Sequence, residues 1–255
     1  MKLELIIESD VREFIDRLPA LSVDRPTVHL LMLAIRSRIA KELLGVRIRD
    51  LVVERKIIRP TSVWKQRYFN KVYNLALLQH HGRYHYRDTM VPSESMAIYA
   101  TLSPRDVLRA VAESLKLSVN DLYQRDESSL MSLSRQDIHF FSNLHKHRAK
   151  GSMFVTLDLD VLDKSLMYEI KEMVEEAGVP IWMITETSRG YHIILNLSKE
   201  EHARVFYGQE SLLHKLRIRY ASKGLEIQKD SQECVPGTRY YRKDSSRPFY
   251  VRILE

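Results

Sequence analysis

The chain has 255 residues, 29% of them charged and 44% apolar. This is the balance of a globular protein long enough to bury a sizeable core, as one large domain or two intimate lobes, and it excludes a disordered chain. The formal charge of +7 suits a polyanionic partner, and a single cysteine, Cys234, excludes an intrachain disulfide and a Cys-rich zinc site.

The N-terminal apolar patch is cut by acids, and no apolar run approaches membrane-spanning length. A cytoplasmic protein without signal peptide or membrane segment is expected. Residues 1–150 hold 25 Lys and Arg against 17 Asp and Glu, whereas the remainder carries one net negative charge. That division suits a chain that holds nucleic acid with one part and metal ions with another.

In chain order, residues 3–7 read as a strand and Asp10 to about Arg17 as a helix. The run from Arg25 to Leu44 has Pro26 near its start, apolar residues at helical spacing (Leu30, Leu33, Ile35, Ile39) and Gly45 as a stop, which predicts a helix. Residues 47–60 fit a strand or a helix. Trp64, Tyr68, Phe69 and Tyr73 fit the packed face of an amphipathic helix; interleaved with bases, they also fit a nucleic-acid surface. Ile98–Leu102 reads as a strand. Ser103 and Pro104 then read as the cap and first turn of a helix running from Arg105 to Leu115, with two further helices up to Arg148.

Residues 153–161 read as a buried strand ending in acids. Strand alternation sets Asp158 and Asp160 on one side and Leu157, Leu159 and Val161 on the other. Two carboxylates so close repel, and a divalent cation relieves the repulsion; oxygen-only ligands suit Mg²⁺ or Mn²⁺. A helix follows over 163–178, with Asp163 near its start. Two strands, 180–186 and 191–197, are joined by a turn holding Ser188, Arg189 and Gly190, with His192 just inside the second strand. Their hydroxyl, guanidinium and imidazole suit a triphosphate, although serine and glycine also form turns for their own sake. A helix over 199–220 leads to a strand from Glu226 to Asp230. Asp230 can return to the first pair as a third carboxylate, and a Pro236-Gly237-Thr238 turn follows.

Taken in order, TLDLDV (156–161), TSRGYHIIL (187–195) and EIQKDSQECVPGT (226–238) resemble the motifs of the archaeo-eukaryotic primase superfamily, whose members include primase-polymerases and end-joining polymerases. YATLSPRD (99–106) resembles an upstream element of several members. The resemblance implies an α/β (α+β) fold with a small mixed or antiparallel sheet carrying the acids. It implies a DNA primase or DNA polymerase that uses two Mg²⁺ or Mn²⁺ ions, no zinc, and nucleoside triphosphates. Asp158, Asp160 and Asp230 would be the catalytic metal ligands, with Glu233 a competitor for the third place. Ser188, Arg189, Gly190 and His192, with Lys229 and Arg105, would hold the nucleotide.

Residues 96–255 would form this core. Residues 1–95, which match no motif of the superfamily, would form a basic, α-rich lobe packed against it and holding DNA template and primer. A helicase or other replication protein would be a further partner. Three rivals share parts of the pattern: a metal-dependent nuclease with the same acids, a catalytically silent nucleic-acid-binding protein, and a nucleotide-sugar transferase with an isolated D-x-D.

Overall fold

The computed structural model describes residues 5–45, 49–124, 126–208, 211–229, 232–242 and 248–255. Its first half contains α1 (Glu8–Arg17), β1 (Thr27–Ile35), α2 (Ser37–Leu44), β2 (Leu51–Ile58), α3 (Trp64–His81), β3 (Tyr84–Tyr86), β4 (Thr89–Val91), β5 (Met96–Thr101) and β6 (Arg105–Asp106). The helices α4 (Val107–Gln124), α5 (Glu127–Leu133) and α6 (Gln136–Lys146) follow. The second half contains β7 (Phe154–Leu159), α7 (Lys164–Glu176), β8 (Ile181–Glu186), β9 (Tyr191–Asn196), α8 (Glu200–Tyr207), α9 (Leu212–Tyr220), β10 (Leu225–Lys229) and β11 (Gln232–Cys234). Short strands β12 (Arg239–Tyr240), β13 (Phe249–Tyr250) and β14 (Arg252–Ile253) end the chain.

Two antiparallel sheets organise these elements into a mixed α/β fold. The first has the order β11-β5-β1-β2, with β6 also pairing β1; the second has the order β10-β7-β9-β8-β14. β5 lies beside β1 and β11 returns to β5, so the boundary expected at 95/96 falls within the strands of one sheet. The first 95 residues thus contribute a sheet as well as helices, and the expectation of an α-rich lobe is corrected accordingly.

The helix expected over Arg25–Leu44 is likewise corrected: its first half is β1. An unbroken apolar run satisfies the helical period and the strand period alike. Here Leu31 and Leu33 enter the core between the sheets, while Val28 and Leu30 enter a second cluster with Ala110 of α4 and Leu144 of α6. A strand buried on both faces shows no alternation to read. Gly45 does end α2, in the left-handed region with φ 68°.

A further correction concerns α4, which starts at Val107 rather than Arg105. Arg105 and Asp106 pair with Val28 and Thr27, and the Asp106 carboxylate accepts from the Arg109 amide at 3.0 Å, which makes it the cap. The helix expected over 199–220 is two, α8 and α9. Of the strand expected at 3–7, residues 3 and 4 lie outside the described residues, and Ile6 forms a single bridge to Thr238. In α3, Tyr68 is fully buried and Trp64 and Phe69 pack partly against the core, as a packed face requires, whereas Tyr73 is exposed.

Each face of the second sheet has its own neighbours. Val155, Leu157 and Leu159 of β7 point into a cluster with Leu166, Ile170 and Val174 of α7 and Phe206, Leu216 and Tyr220 of α8 and α9. Phe154 of β7, Ile194 of β9 and Met183 of β8 point the other way, into the core shared with Leu31, Leu33 and Ile98 of the first sheet. Trp182 seals this junction edge-on to Phe14 and Phe154, with ring centroids 5.9 and 5.3 Å away. Among the described residues, no helix is long and apolar enough to cross a membrane.

Candidate functional site

The strand register brings the chemistry-bearing residues together. β7 and β9 are antiparallel with Asp158 opposite His192 and Thr156 opposite Ile194. β10 lies on the other side of β7, with Glu226 opposite Asp158 and Gln228 opposite Thr156. By strand alternation Thr156, Asp158, His192 and Gln228 therefore share the face turned toward the first sheet. From that sheet, β11 sends Glu233 across the junction.

The resulting cluster is a hydrogen-bonded chain. His192 Nδ1 contacts Glu233 Oε2 at 2.7 Å and His192 Nε2 contacts Asp158 Oδ1 at 3.2 Å. Gln228 Nε2 donates to Asp158 Oδ2 at 3.0 Å, and the Thr156 hydroxyl donates to Glu233 Oε1. Glu233 is 3% exposed, Asp158 20% and His192 17% at the side chain.

Burial by itself would hold the imidazole neutral. The Glu233 charge and the hydrogen bonds to both carboxylates outweigh it and raise the pKa well above the usual histidine value. His192 is therefore an imidazolium that donates from both nitrogens. In this arrangement neither nitrogen is left for a triphosphate, so a phosphate would reach the ring only by displacing a carboxylate.

The turn between β8 and β9 lies directly over the end of β7. A Cβ on Gly190 would sit 1.7 Å from the Leu159 carbonyl oxygen and 2.9 Å from the Val161 amide nitrogen, so only glycine allows this approach. Thr187 closes the turn through its amide to the Gly190 carbonyl, 2.9 Å away, and Ser188 is buried within it. Arg189 reaches Asp160, just past the end of β7, with NH2 at 3.0 Å from Oδ1 and 3.3 Å from Oδ2. That pair is open to solvent, with side chains 37% and 41% exposed.

Other expected site residues lie elsewhere. Lys229 pairs with Val155 and so belongs to the helix-covered face, where its ammonium lies 4.4 Å from the Tyr207 ring centroid. Alternation puts it on the opposite side of the sheet from Asp158, which corrects its placement beside the nucleotide. Arg105 is buried, with NH1 donating to the His145 carbonyl at 2.8 Å, and His145 Nδ1 in turn meets Gln232 Nε2 at 3.0 Å. Asp230 lies outside the described residues. Of the two candidates for a third acid, Glu233 is the one seen in the cluster.

Gln228 and Thr156 were not singled out from sequence. The available signal was parity: Gln228 stands two residues from Glu226, and Thr156 two from Asp158, each pair on one strand face.

Among the described residues, no group of three or more His, Cys, Asp and Glu side chains is arranged to hold a metal ion. The donor chemistry of Asp158 and Asp160 nonetheless fits Mg²⁺ or Mn²⁺, being hard carboxylate oxygen. In the structure these oxygens are already charge-balanced, Asp158 by the imidazolium of His192 and Asp160 by the guanidinium of Arg189. An incoming ion would compete with those two cations. Compared with known proteins, the chain matches no family model, no curated protein and no solved structure.

Proposed function

We propose that the chain is a template-dependent nucleotidyltransferase of the archaeo-eukaryotic primase kind, acting as DNA primase, DNA polymerase or both. The observation that carries this reading is convergence. Three segments far apart in sequence, 156–161, 187–195 and the described residues of 226–238, meet on one face of the second sheet and at its junction with the first. An acid on a strand face, a second just past the end of that strand, a turn overhanging them and a returning acid are the kinds of element that nucleotidyl transfer uses.

Asp158 and Asp160, with Asp230 as third acid, would hold two Mg²⁺ or Mn²⁺ ions. Bound there, such ions supply the Lewis acidity that activates a 3′-hydroxyl and steadies a pyrophosphate leaving group. The protein's own part is positional and electrostatic. Gly190 lets the turn close over β7, and Arg189 is the exposed cation of the site, free to exchange Asp160 for a nucleotide's phosphate oxygens. Glu233 and Thr156 fix the ring of His192, so that Asp158 is held from one side by the imidazolium and from the other by Gln228.

Templates with and without primer, offered all eight nucleotides and Mg²⁺ or Mn²⁺, test the reading. Labelled nucleotide should be incorporated by the native chain and not by Asp158→Ala. Strand degradation without incorporation would mark a nuclease instead. Strand binding with no metal-dependent chemistry would mark a silent binding protein.

A further inference from the structure

The free edge of the first sheet carries charge that the proposed chemistry does not use. β2 is the terminal strand on that side of the sheet order. Along it runs a groove of about 390 Å³ into which five cations converge: Arg55, Lys56 and Arg59 from β2 and just beyond, Arg67 and Lys71 from α3. Its apolar floor is Ile57, Ile58 and the ring of Phe141 on α6. Arg55 pairs with Met32 and Lys56 with Leu31 of β1, so alternation sends the two side chains to opposite faces of the sheet. The cations therefore reach round the edge from both sides.

Little in the fold neutralises them. Among the described residues, only Lys56 has a carboxylate partner, Glu54 at 3.1 Å. Arg55 lies 5.4 Å over the Phe141 ring, and its Nε is buried with no hydrogen-bond partner. α3 has no Asp or Glu in its 18 residues, and Arg67 and Lys71 stand four apart on it, a spacing at which like charges repel. Such crowding is relieved by a polyanion whose phosphates are spaced along a chain. The half-buried ring of Phe141 and the apolar residues beside the cations suit a base next to its phosphate, which a duplex does not offer.

We propose that this groove binds single-stranded nucleic acid, the phosphates held by Arg59, Arg67 and Lys71 and a base received by Phe141. Only the identification of that strand as the template rests on the function proposed above; the binding itself needs no metal.

The test uses the full chain, a fluorescein-labelled single-stranded oligodeoxythymidylate and anisotropy in EDTA over a series of salt concentrations. Arg67→Ala/Lys71→Ala should weaken binding about tenfold and make the salt slope shallower by about 1.4, at roughly 0.7 per lost phosphate contact. Lys199→Ala/Lys215→Ala removes the same charge from the residue just before α8 and from α9, beside the second sheet, and should change neither quantity. Phe141→Ala should weaken binding and leave the slope intact. Asp158→Ala should bind the oligonucleotide normally while losing incorporation, which separates failure of the groove from failure of the chemistry.

Equal losses in the two double variants would overturn the proposal, as would duplex DNA bound as tightly as the single strand. Tripolyphosphate competing as well, per phosphate, as the oligonucleotide would point to a soluble polyanion and overturn it too. Basic residues also keep edge strands from pairing with other copies. If the Arg67/Lys71 variant bound the strand normally and self-associated in sedimentation, that protective role would replace the one proposed.

Discussion

A fully buried histidine and a partly buried one face the interior from opposite sheets, and their surroundings drive them to opposite charge states. His29 on β1 lies beneath α3, its ring 5.8 Å from that of Trp64 and 6.1 Å from that of Tyr68. Burial, opposed by contacts to the Pro19 and Thr101 carbonyls and helped by the nearby Arg105 charge, lowers its pKa to about 4. His192 on β9 is also largely enclosed, yet Glu233 and Asp158 hold it protonated. Burial does not by itself decide protonation; the charge of the partners does. The first histidine is a neutral piece of the core. The second is a cation built into the cluster on which the proposed chemistry depends.

The sharpest way to break the comparison is to remove one carboxylate flanking His192. Asp158→Ala should reduce nucleotide incorporation by at least about 10²–10³-fold, the range for deleting a preorganised electrostatic group at a reacting centre. Glu233 still holds the ring in this variant, so the fold should persist, as far- and near-ultraviolet circular dichroism would show. Unchanged incorporation would remove Asp158 from the chemistry.

The neutral histidine makes the next largest prediction, with the sign set by its lowered pKa. A histidine whose folded pKa lies below the unfolded value of 6.5 adds stability that is fully present above 6.5 and lost as pH falls through its folded pKa of about 4. A shift of this size is worth about 3 kcal/mol at 1.36 kcal/mol per unit. His29→Gln keeps a donor for one carbonyl and cannot titrate. The stability gap between native chain and variant, from urea midpoints, should therefore shrink by about that amount between pH 7 and pH 4. A gap equal at both pH values would show that folding does not lower the pKa of His29.

The contrast also shows what was legible from sequence. The site face of β7 could be read because T-L-D-L-D alternates, with polar residues at 156 and 158 and leucines at 157 and 159, and one face is dry and the other is not. The β8–β9 hairpin could be read because a Ser-Arg-Gly turn separates two apolar runs. β1 could not: both of its faces are buried, so its apolar run carries no period that distinguishes strand from helix. His29 went unnoticed for the same reason, lying inside that run. Glu233 stood in the sequence only as a rival to Asp230. Its contact with His192 spans 41 residues and two sheets, and no local pattern encodes a partner on another sheet.

Glu233 can be tested as the residue that joins the sheets. A hydrogen bond to a charged group contributes roughly 1.5–3 kcal/mol, so Glu233→Gln should lower stability by about that much at neutral pH. In a His192→Gln background the same change should cost clearly less, since the charge it serves is gone. A double-mutant cycle from urea midpoints measures the coupling, and additive losses would mean that the two side chains do not act as a pair.

The smallest effect on stability, and the most selective one on function, belongs to Arg189. Its ion pair with Asp160 is more than a third exposed on both sides, so solvent screens it and Arg189→Ala should change stability by no more than about 1 kcal/mol. If its guanidinium exchanges Asp160 for the phosphates of an incoming nucleotide, the same variant should raise the nucleotide KM about tenfold or more, with template affinity unchanged. Arg189→Lys should recover part of the loss, because a point charge replaces the fork without its two-point geometry. A partly buried cation that fixes a carboxylate and an exposed one that can leave it are then distinct in kind. Large destabilisation with no change in KM would make Arg189 another structural partner of the site, like His192.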